Sequence, residues 1–170
     1  MKRLTEIDSL TGVYNRKYLI EKATEWLNVA PMNNESIICS VFDVDHFKVI
    51  NDSQGHLIGD ELLKTLANSC NSKIIKEDMF LARYGGDEFV IVYRTRGIEE
   101  ALQHIQDIYN GLNSLIFEIS NRKYNLSISM GVSYTTLGEY RLFEDLFRDA
   151  DEALYRSKQK GRRLLTLYSG

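Results

Sequence analysis

Two consecutive glycines, flanked on both sides by residues that favour β-strands, constrain the fold of this chain most. Gly85 and Gly86 separate the run MFLARY (79–84) from the run DEFVIVY (87–93). Both central residues of the favoured two-residue hairpin turn need a positive φ, which glycine adopts more readily than any other residue. The pattern therefore predicts a β-hairpin with the glycine pair at its tip, so any sheet that contains it is at least partly antiparallel.

Helical and extended patterns alternate along the rest of the chain. Apolar residues at helical spacing predict helices over residues 15–29, 62–74, 98–112 and 142–160. Runs rich in apolar and β-branched residues predict a buried strand over 37–43 and another strand over 124–134. A polar stretch, 51–59, precedes the second helix, and we expect Asp60 to be the N-cap of that helix. The alternation predicts one α/β layered domain, for which 170 residues supply a substantial core.

Composition excludes several classes of protein. Acidic residues outnumber basic ones by 24 to 21 and give a net charge of −3, whereas a protein that coats DNA or RNA is normally basic. No run approaches the roughly 18 apolar residues of a membrane helix, and no signal peptide is visible. Cys39 and Cys70 lie in apolar patterns, so we expect buried free thiols rather than a disulfide or zinc site. The sequence thus predicts a cytoplasmic domain that contacts neither nucleic acid nor membrane.

Acidic residues stand where two strands are expected to end. Asp43 and Asp45 close the first strand and, two residues apart in an extended chain, they share one face. Asp87 and Glu88 follow the glycine pair, and since consecutive residues point to opposite faces, we expect only one of them to join Asp43. Two carboxylates meeting there would suit Mg²⁺, which takes oxygen ligands and keeps phosphates and water as partners. Strands that simply reach solvent would show the same acids, so this pattern alone leaves both interpretations open.

Basic residues gather at the end of the last helix, in SKQKGRR (157–163). Lys158 and Arg162 are four residues apart and share one side if the helix continues that far. Cations at a helix C-terminus also complement the macrodipole without any ligand. The sequence contains no P-loop and no GxGxxG motif, so a bound phosphate would depend on such cations, a metal ion and backbone amides.

Five segments occur in the order and with the spacing of one known family. They are DSLTGVYNRKYL (8–19), FDVDHFKVINDSQGHLIGDELL (42–63), RYGGDEFVIVY (83–93), SISMGVS (127–133) and DADEALYRSKQKGRR (149–163). Together they resemble the GGDEF family of bacterial diguanylate cyclases over nearly the whole chain. The resemblance implies an α/β (α+β) fold like the palm of nucleotidyl cyclases and many polymerases, with a central, roughly five-stranded mixed or antiparallel sheet flanked by helices. It also implies that residues 1–170 form one catalytic domain, with a core over about 8–168, excised from a longer protein with an N-terminal sensor.

The resemblance implies a reaction in which two GTP molecules become cyclic di-GMP and two pyrophosphates. Each ribose 3′-hydroxyl attacks the α-phosphate of the other GTP, so two copies of the domain have to face each other as a homodimer. The implied cofactor is Mg²⁺ (or Mn²⁺), because ions that span the attacking and leaving oxygens offset charge in an in-line displacement.

Motif positions assign roles to individual residues. The implied metal ligands are Asp43, Asp87 and the backbone carbonyl of Val44. The implied catalytic residues are Asp87 as candidate base, Glu88 in support and Lys48 as the cation of the transition state. The implied substrate-binding residues are Asn51 and Asp60 at the guanine, His56 at a substrate-contact position, and Lys158, Arg162 and the amides around His46 and Phe47 at the phosphates.

The chain departs from the family pattern at the product motif and at two positions near the end of the last helix. The inhibitory product motif RxxD is replaced by KEDM, with Lys76 and Met79 at the two matching positions. Lys lacks the planar fork of Arg and Met has no carboxylate, so we expect product feedback through this site to be weak or absent. In addition, Arg163 replaces the usual Asn of Gly-Arg-Asn, and Ser157 stands where Ala is common.

Two other functions stay open. One is a catalytically silent GTP-binding module for regulation or interaction, although such relatives usually lose the motif glycines and acids that this chain retains. The other is an enzyme that makes a mixed or adenine-containing dinucleotide, against which Asp60 argues, because a carboxylate suits the donors of guanine.

Overall fold

The computed structural model describes residues 3–170 and builds them around a five-stranded mixed sheet. The strands within the described residues are β1 Ser36–Val44, β2 Met79–Gly85, β3 Glu88–Thr95, β4 Ile116–Ile119, β5 Arg122–Asn125, β6 Ile128–Tyr134 and β7 Leu165–Leu167. The main sheet has the order β2-β3-β1-β6-β7, and β4 pairs with β5 in a separate two-stranded sheet. Strand β1 lies at the centre and runs antiparallel to β3 and β6, whereas β6 and β7 are parallel.

Helices cover both faces of this sheet, as the alternating sequence pattern predicts. They are α1 Arg16–Val29, α2 Phe47–Gln54, α3 His56–Asn71, α4 Ile98–Asn113 and α5 Phe143–Gln159. On one face, α1 and α5 pack against residues such as Val41 and Phe80. On the other face, α3 and α4 pack against residues such as Phe42 and Leu81. All nine residues of β1 are buried, which is why its sequence is almost continuously apolar.

Helix α5 lies unusually close to β6, at Gly131. A Cβ atom at this position would be 2.1 Å from the carbonyl oxygen of Ala150 and 2.2 Å from the amide nitrogen of Leu154. The backbone of the helix therefore rests directly on the backbone of the strand. This contact fixes the position of the helix that carries Lys158.

The predicted hairpin is confirmed, but its turn is displaced by one residue. Gly85 belongs to β2 and pairs with Glu88, so the two loop residues are Gly86 and Asp87. Only Gly86 has a positive φ, of 51°. A register shift between Arg83 and Gly85 accommodates the change. The expectation that both glycines occupy the central positions is therefore wrong, and Asp87 itself forms half of the turn.

The expected start of the second helix is also wrong. Helix α3 begins at His56, with Gly55 as its N-cap, so Asp60 lies inside the helix and does not cap it. Most of the polar stretch 51–59 is helical as well, because α2 ends at Gln54 and only Gly55 separates the two helices. Gly55 has a φ of 93°, a conformation that breaks a helix without needing a longer loop.

Two further differences concern short strands. The single strand expected over 124–134 is split, because Arg122–Asn125 pairs with Ile116–Ile119 and Ile128–Tyr134 joins the main sheet. The parallel strand β7, which covers only three residues, had no signal in the sequence pattern. Both cysteines are buried and free, as expected.

Candidate active site

The tip of the hairpin meets the end of β1. The amide N–H of Val44 donates a hydrogen bond to Asp87 Oδ2, at 3.1 Å. This contact joins residues 43 positions apart in the sequence and brings Asp87 beside Asp43, as the two-carboxylate hypothesis requires. The position of Asp87 in the turn, rather than in a strand, leaves it free to point toward β1.

A second contact holds the hairpin tip from the N-terminal segment. Arg83 donates to the carbonyl of Gly86 at 2.9 Å and to both carboxylate oxygens of Asp8 at 3.2 and 3.3 Å. Asp8 also accepts from the amide and hydroxyl of Thr11. Although burial raises the pKa of Asp8, these hydrogen bonds and the charge of Arg83 lower it below the ordinary value. The segment at residues 8–11 thus braces the turn that carries Asp87.

Asp43 is a buried carboxylate with an incomplete set of partners. Its side chain forms an ion pair with Lys158 through Oδ2, while Oδ1 is buried with no hydrogen-bond partner among the described residues. Burial raises the pKa of Asp43 to about 6; Lys158 lowers it, and Asp87 adds a further increase. One ammonium group therefore does not balance the negative charge collected here.

Glu88 and Asp87 both contribute to this charge. Burial raises the pKa of Glu88 to about 7, with further increases from the charges of Asp151 and Asp43. Burial also raises the pKa of Asp87, against hydrogen bonds from its own amide and that of Val44. Both acids thus interact with Asp43 through their charges, where we expected only one of them to join it. Strand alternation does not separate them, because Asp87 lies in the turn.

The charge and the donor atoms of this site fit a divalent cation. Asp43 Oδ1 needs a partner, and the hairpin contact places the Asp87 carboxylate at the same strand end. Within residues 3–170, no three acidic, histidine or cysteine side chains converge closely enough to enclose an ion. Two carboxylates and a carbonyl would leave positions for phosphate oxygens and water, which is how Mg²⁺ is commonly held.

The residues predicted to read guanine lie on the α2–α3 pair. Asn51, in α2, packs against Gly59 of α3, the residue that precedes Asp60. A Cβ at Gly59 would be only 1.8 Å from Asn51 Oδ1, so the absence of a side chain there makes room for Asn51. Asn51 Oδ1 is buried and has no hydrogen-bond partner among the described residues. His56 is exposed at the first position of α3.

The remaining predicted phosphate contacts lie at two exposed turns. His46 precedes α2 with a left-handed φ of 59°, and Phe47 is the first residue of that helix. The first amides of a helix have no intrahelical acceptor. Lys48 and Arg162 are both exposed, and neither forms an ion pair within the part of the chain that the structure describes.

The KEDM turn presents neither the Arg nor the Asp of an RxxD motif. Met79 is the first residue of β2 and only 1 % exposed, so it faces the core. Asp78 forms a 3.8 Å ion pair with Arg94 of β3, and Lys76 is exposed. Asp78, the acid next to the position where an RxxD motif has its Asp, is therefore already in an ion pair within the fold.

Two acids near the site had no assigned role in the sequence. Asp151 of α5 acts on Glu88 through its charge; its place seven residues before Lys158, on the same helix face, could have indicated this. Asp45 is 5 % exposed and binds Ser127 and Ser129, not Lys158. No sequence pattern indicates which partner such an acid takes.

Comparison with known proteins defines the class. In fold, the structure matches the crystal structure of the GGDEF domain of DgcB from Caulobacter crescentus in complex with c-di-GMP, with a TM-score of 0.87, 28 % identity and 98 % of each chain covered. The mixed sheet flanked by helices is thus the palm-like fold of a nucleotidyl cyclase. The family described as "Diguanylate cyclase, GGDEF domain" matches residues 5–164. The chain belongs to the GGDEF family.

Curated relatives agree with this assignment. The chain is 33 % identical over 155 residues to "Diguanylate cyclase DgcP" of Pseudomonas aeruginosa and 34 % identical over 161 residues to "Response regulator PleD" of Caulobacter vibrioides. These matches cover 91 and 94 % of the chain but only 23 and 35 % of the two relatives. Among residues 3–170, no helix has the length and apolarity needed to cross a membrane.

Proposed function

We propose that this chain is the catalytic domain of a diguanylate cyclase, which joins two GTP molecules into cyclic di-GMP and releases two pyrophosphates. The observation that carries the proposal is the pair formed by the buried carboxylate of Asp43 and the half-buried carboxylate of Asp87, which the hairpin tip holds together with insufficient positive charge. Family membership and the c-di-GMP complex of a similar domain support the same reaction.

Asp43, Asp87 and the Val44 carbonyl would hold Mg²⁺ (or Mn²⁺). When bound, the ion supplies positive charge to the phosphate oxygens and lowers the barrier to attack on phosphorus. Its charge also matches the unbalanced carboxylates, whose pKa values are raised by burial. The donor set thus favours a hard cation over any softer metal.

Side chains and backbone amides of the chain would supply the base, the phosphate contacts and the stabilisation of the transition state. Asp87 is the candidate base for the 3′-hydroxyl, with Glu88 beside it in support. Lys158 has to leave Asp43 and pair with a phosphate when GTP enters, and its 34 % exposed side chain leaves room for this movement. Arg162 and the first amides of α2 complete the phosphate contacts. Lys48, exposed at the start of α2, would stabilise the charge that develops in the transition state.

Guanine recognition is assigned to the α2–α3 pair. Asp60 would accept hydrogen bonds from guanine N1 and N2, a pair of donors that adenine lacks. The buried, unpartnered Asn51 Oδ1 supports a second contact on the same edge, and His56 lies at the start of the same helix. Asp60 is released from the capping role expected of it, because Gly55 caps α3.

One domain binds one GTP, so the product requires a second copy. An isologous pair of domains places each 3′-hydroxyl opposite the other α-phosphate. We infer that residues 8–168 belong to a longer protein, since the curated relatives are much longer than this chain. We also propose that this domain works in the cytoplasm, as its composition predicts. Specific activity should rise with protein concentration if the isolated domain has to find its partner.

The decisive experiment measures pyrophosphate release from GTP, with and without Mg²⁺, over a range of protein concentrations. The expected result is Mg²⁺-dependent release that increases more than linearly with protein, and chromatography that identifies cyclic di-GMP. With equal ATP and GTP, wild-type protein should yield only the guanine product, and Asp60→Ser should admit ATP. GTP binding without any release at high protein concentration would contradict the proposal.

The second candidate, a silent GTP-binding module, has one observation in its favour. The Lys158 ammonium lies on Asp43, a position that opposes binding of a cation. In a silent module, Lys158→Ala would leave Mg²⁺-GTP turnover undetectable and would affect only GTP affinity. In a cyclase, the same variant would raise the KM for GTP while the reaction continued at a lower rate.

A further inference from the structure

The loop that carries Arg162 has an unfavourable backbone conformation. Gly161, Arg162 and Arg163 follow α5 with φ values of 111°, 68° and 51°. A left-handed conformation costs a non-glycine residue about 1 to 2 kcal/mol, and it persists only where surrounding contacts determine it. Two successive arginines in this region therefore require a specific anchor.

Asp45 supplies that anchor from the end of β1. Its Oδ2 accepts hydrogen bonds from the Ser127 hydroxyl at 2.5 Å and from the amide of Arg163 at 3.1 Å. Its Oδ1 accepts from the Ser129 hydroxyl at 2.6 Å, and Ser129 Oγ in turn accepts from the Arg163 amide at 3.1 Å. The peptide between Arg162 and Arg163 is thus held by a buried carboxylate and by a hydroxyl that the same carboxylate orients.

The other side of Arg162 is tied to α5. Its amide donates to the carbonyl of Ser157 at 3.0 Å. The Ser157 hydroxyl donates to the carbonyl of Met130 at 3.0 Å and contacts Thr166 Oγ1 at 2.6 Å. Both peptides of Arg162 are therefore fixed, one through the helix and one through Asp45.

We propose that Asp45 is a positioning residue for the phosphate-binding loop 161–163, which it fixes relative to Asp43 on the same strand end. The proposal rests on the proposed function, in which Arg162 binds a phosphate of GTP. Both oxygens of Asp45 are already hydrogen-bonded, so Asp45 acts through the loop and does not touch the substrate. Because Asp43 and Asp45 lie on the same strand end, this anchor sets the distance between the carboxylates of Asp43 and Asp87 and the side chain of Arg162 that would bind a phosphate.

The test compares a nucleotide with the corresponding nucleoside. Asp45→Asn keeps the size of the side chain but replaces one acceptor oxygen by a donor. We expect this variant to bind guanosine 5′-(α,β-methylene)triphosphate about tenfold more weakly, the effect of roughly 1.4 kcal/mol, while guanosine affinity changes less than twofold. In an Arg162→Ala background, Asp45→Asn should change the affinity for the analogue less than twofold, because the group it positions is absent. Calorimetry with Mg²⁺ measures all four proteins.

Two controls separate positioning from general stability. Ser133→Ala removes a different buried hydrogen bond, to the carbonyl of Leu146, and should leave the ratio of the two affinities unchanged. Ser129→Ala removes one acceptor of the Arg163 amide and should change the ratio in the same direction as Asp45→Asn, but less. This milder variant keeps the test available if Asp45→Asn folds poorly.

Hydrogen exchange at the Arg163 amide tests the anchor without any nucleotide. Asp45→Asn should accelerate exchange there at least tenfold more than at the amides of β3. Unchanged exchange at Arg163, equal weakening of analogue and guanosine, or an undiminished effect in the Arg162→Ala background would each overturn the proposal. If the wild-type protein binds neither ligand while Asp45→Asn still accelerates exchange at Arg163, the proposed function is contradicted and the anchoring role of Asp45 is supported.

Discussion

Asp43 and Asp45 stand two residues apart, equally buried and in opposite chemical situations. Asp43 is 7 % exposed, and Asp45 is 5 % exposed. One oxygen of Asp43 has no hydrogen-bond partner and the pKa of this carboxyl rises to about 6, chiefly through burial. Both oxygens of Asp45 are bound by hydroxyl and amide donors. Burial alone therefore does not identify a functional acid; the difference lies in whether the fold itself satisfies the group.

The largest expected difference comes from replacing each acid by Asn. Asp43→Asn should lower the rate of pyrophosphate release about 1,000-fold, because a metal ligand contributes several kcal/mol to the transition state. Its free energy of unfolding without divalent cations should not fall, since the variant removes a buried charge that the fold satisfies only in part. Asp45→Asn should lower that free energy by about 1 to 3 kcal/mol, the cost of an unsatisfied buried group.

Urea denaturation in EDTA and the pyrophosphate assay check both halves of this prediction. A larger loss of stability in Asp43→Asn than in Asp45→Asn would contradict the distinction between the two acids.

The next effect concerns Asn51, whose amide oxygen is unpartnered like Asp43 Oδ1. Gly59→Ala should weaken GTP binding about tenfold, because the added Cβ displaces Asn51 and costs roughly one hydrogen bond of about 1.4 kcal/mol. In an Asn51→Ala background, the same substitution should have little further effect on GTP affinity and should destabilise the fold less. A double-mutant cycle on GTP affinity and on urea stability measures both, and fully additive effects would show that Gly59 does not act through Asn51.

Glu88 allows the contrast between satisfied and unsatisfied acids to be tested through the pH dependence of the free energy of unfolding. Its pKa rises from 4.5 to about 7 through burial and the charges of Asp151 and Asp43, and that of Asp43 rises from 3.8 to about 6. The folded state therefore binds more protons than the unfolded state between about pH 4 and pH 7. These two groups make the free energy of unfolding fall as pH rises through that window, and the loss is complete above it.

Glu88→Gln should flatten this pH dependence and raise the free energy of unfolding by about 2 kcal/mol at pH 8, because one pKa unit corresponds to about 1.4 kcal/mol and solvent screens part of the effect at this half-buried carboxyl. The measurement is urea denaturation in EDTA from pH 5 to pH 8. Glu21→Gln, at an exposed position of α1, serves as the control and should leave the slope unchanged. A slope in Glu88→Gln equal to that of the wild type would be inconsistent with a stability contribution from this carboxyl.

The smallest effect is expected from a substitution at Arg163, whose amide donates a hydrogen bond to Asp45. Arg163→Asn keeps the amide that Asp45 accepts from, while Asn tolerates the left-handed φ of 51° better than Arg does. The variant should raise the free energy of unfolding by about 0.5 to 1 kcal/mol. Its exposed side chain donates only one long hydrogen bond, of 3.4 Å, to the carbonyl of Asn113. Thermal unfolding measures the gain, and a loss of stability would show that this exposed contact outweighs the backbone strain.

Sequence patterns predicted those features that local chemistry determines. The hairpin and the central strand were predicted because glycines and β-branched residues act over a few positions. The boundary between α2 and α3 was not, because polar residues over 51–59 resemble a loop until both helices pack and bury Gly59. Strands of three or four residues, such as β7, depend on neighbours far along the chain and give almost no local signal.

The candidate site likewise combines residues that sequence motifs indicate with contacts that depend on residues far along the chain. Family motifs indicated Asp43, Asp87 and Lys158, and the structure places the Lys158 ammonium on Asp43 and the Asp87 carboxylate at the amide of Val44. The partners of Asp45 lie 82 to 118 residues away. Only the folded chain shows that this second acid anchors the loop after α5.

The close approach of α5 to β6 limits how this site can be regulated. Since the helix backbone rests on Gly131 with no space for even one carbon atom, α5 cannot roll or slide over the sheet without a backbone collision. Under the proposed function, Lys158 would therefore change partner by rotating its own side chain while its helix stays in place. A signal that acted by pulling this helix would disrupt the core before it moved the lysine, so regulation would have to act on how two copies of the domain meet.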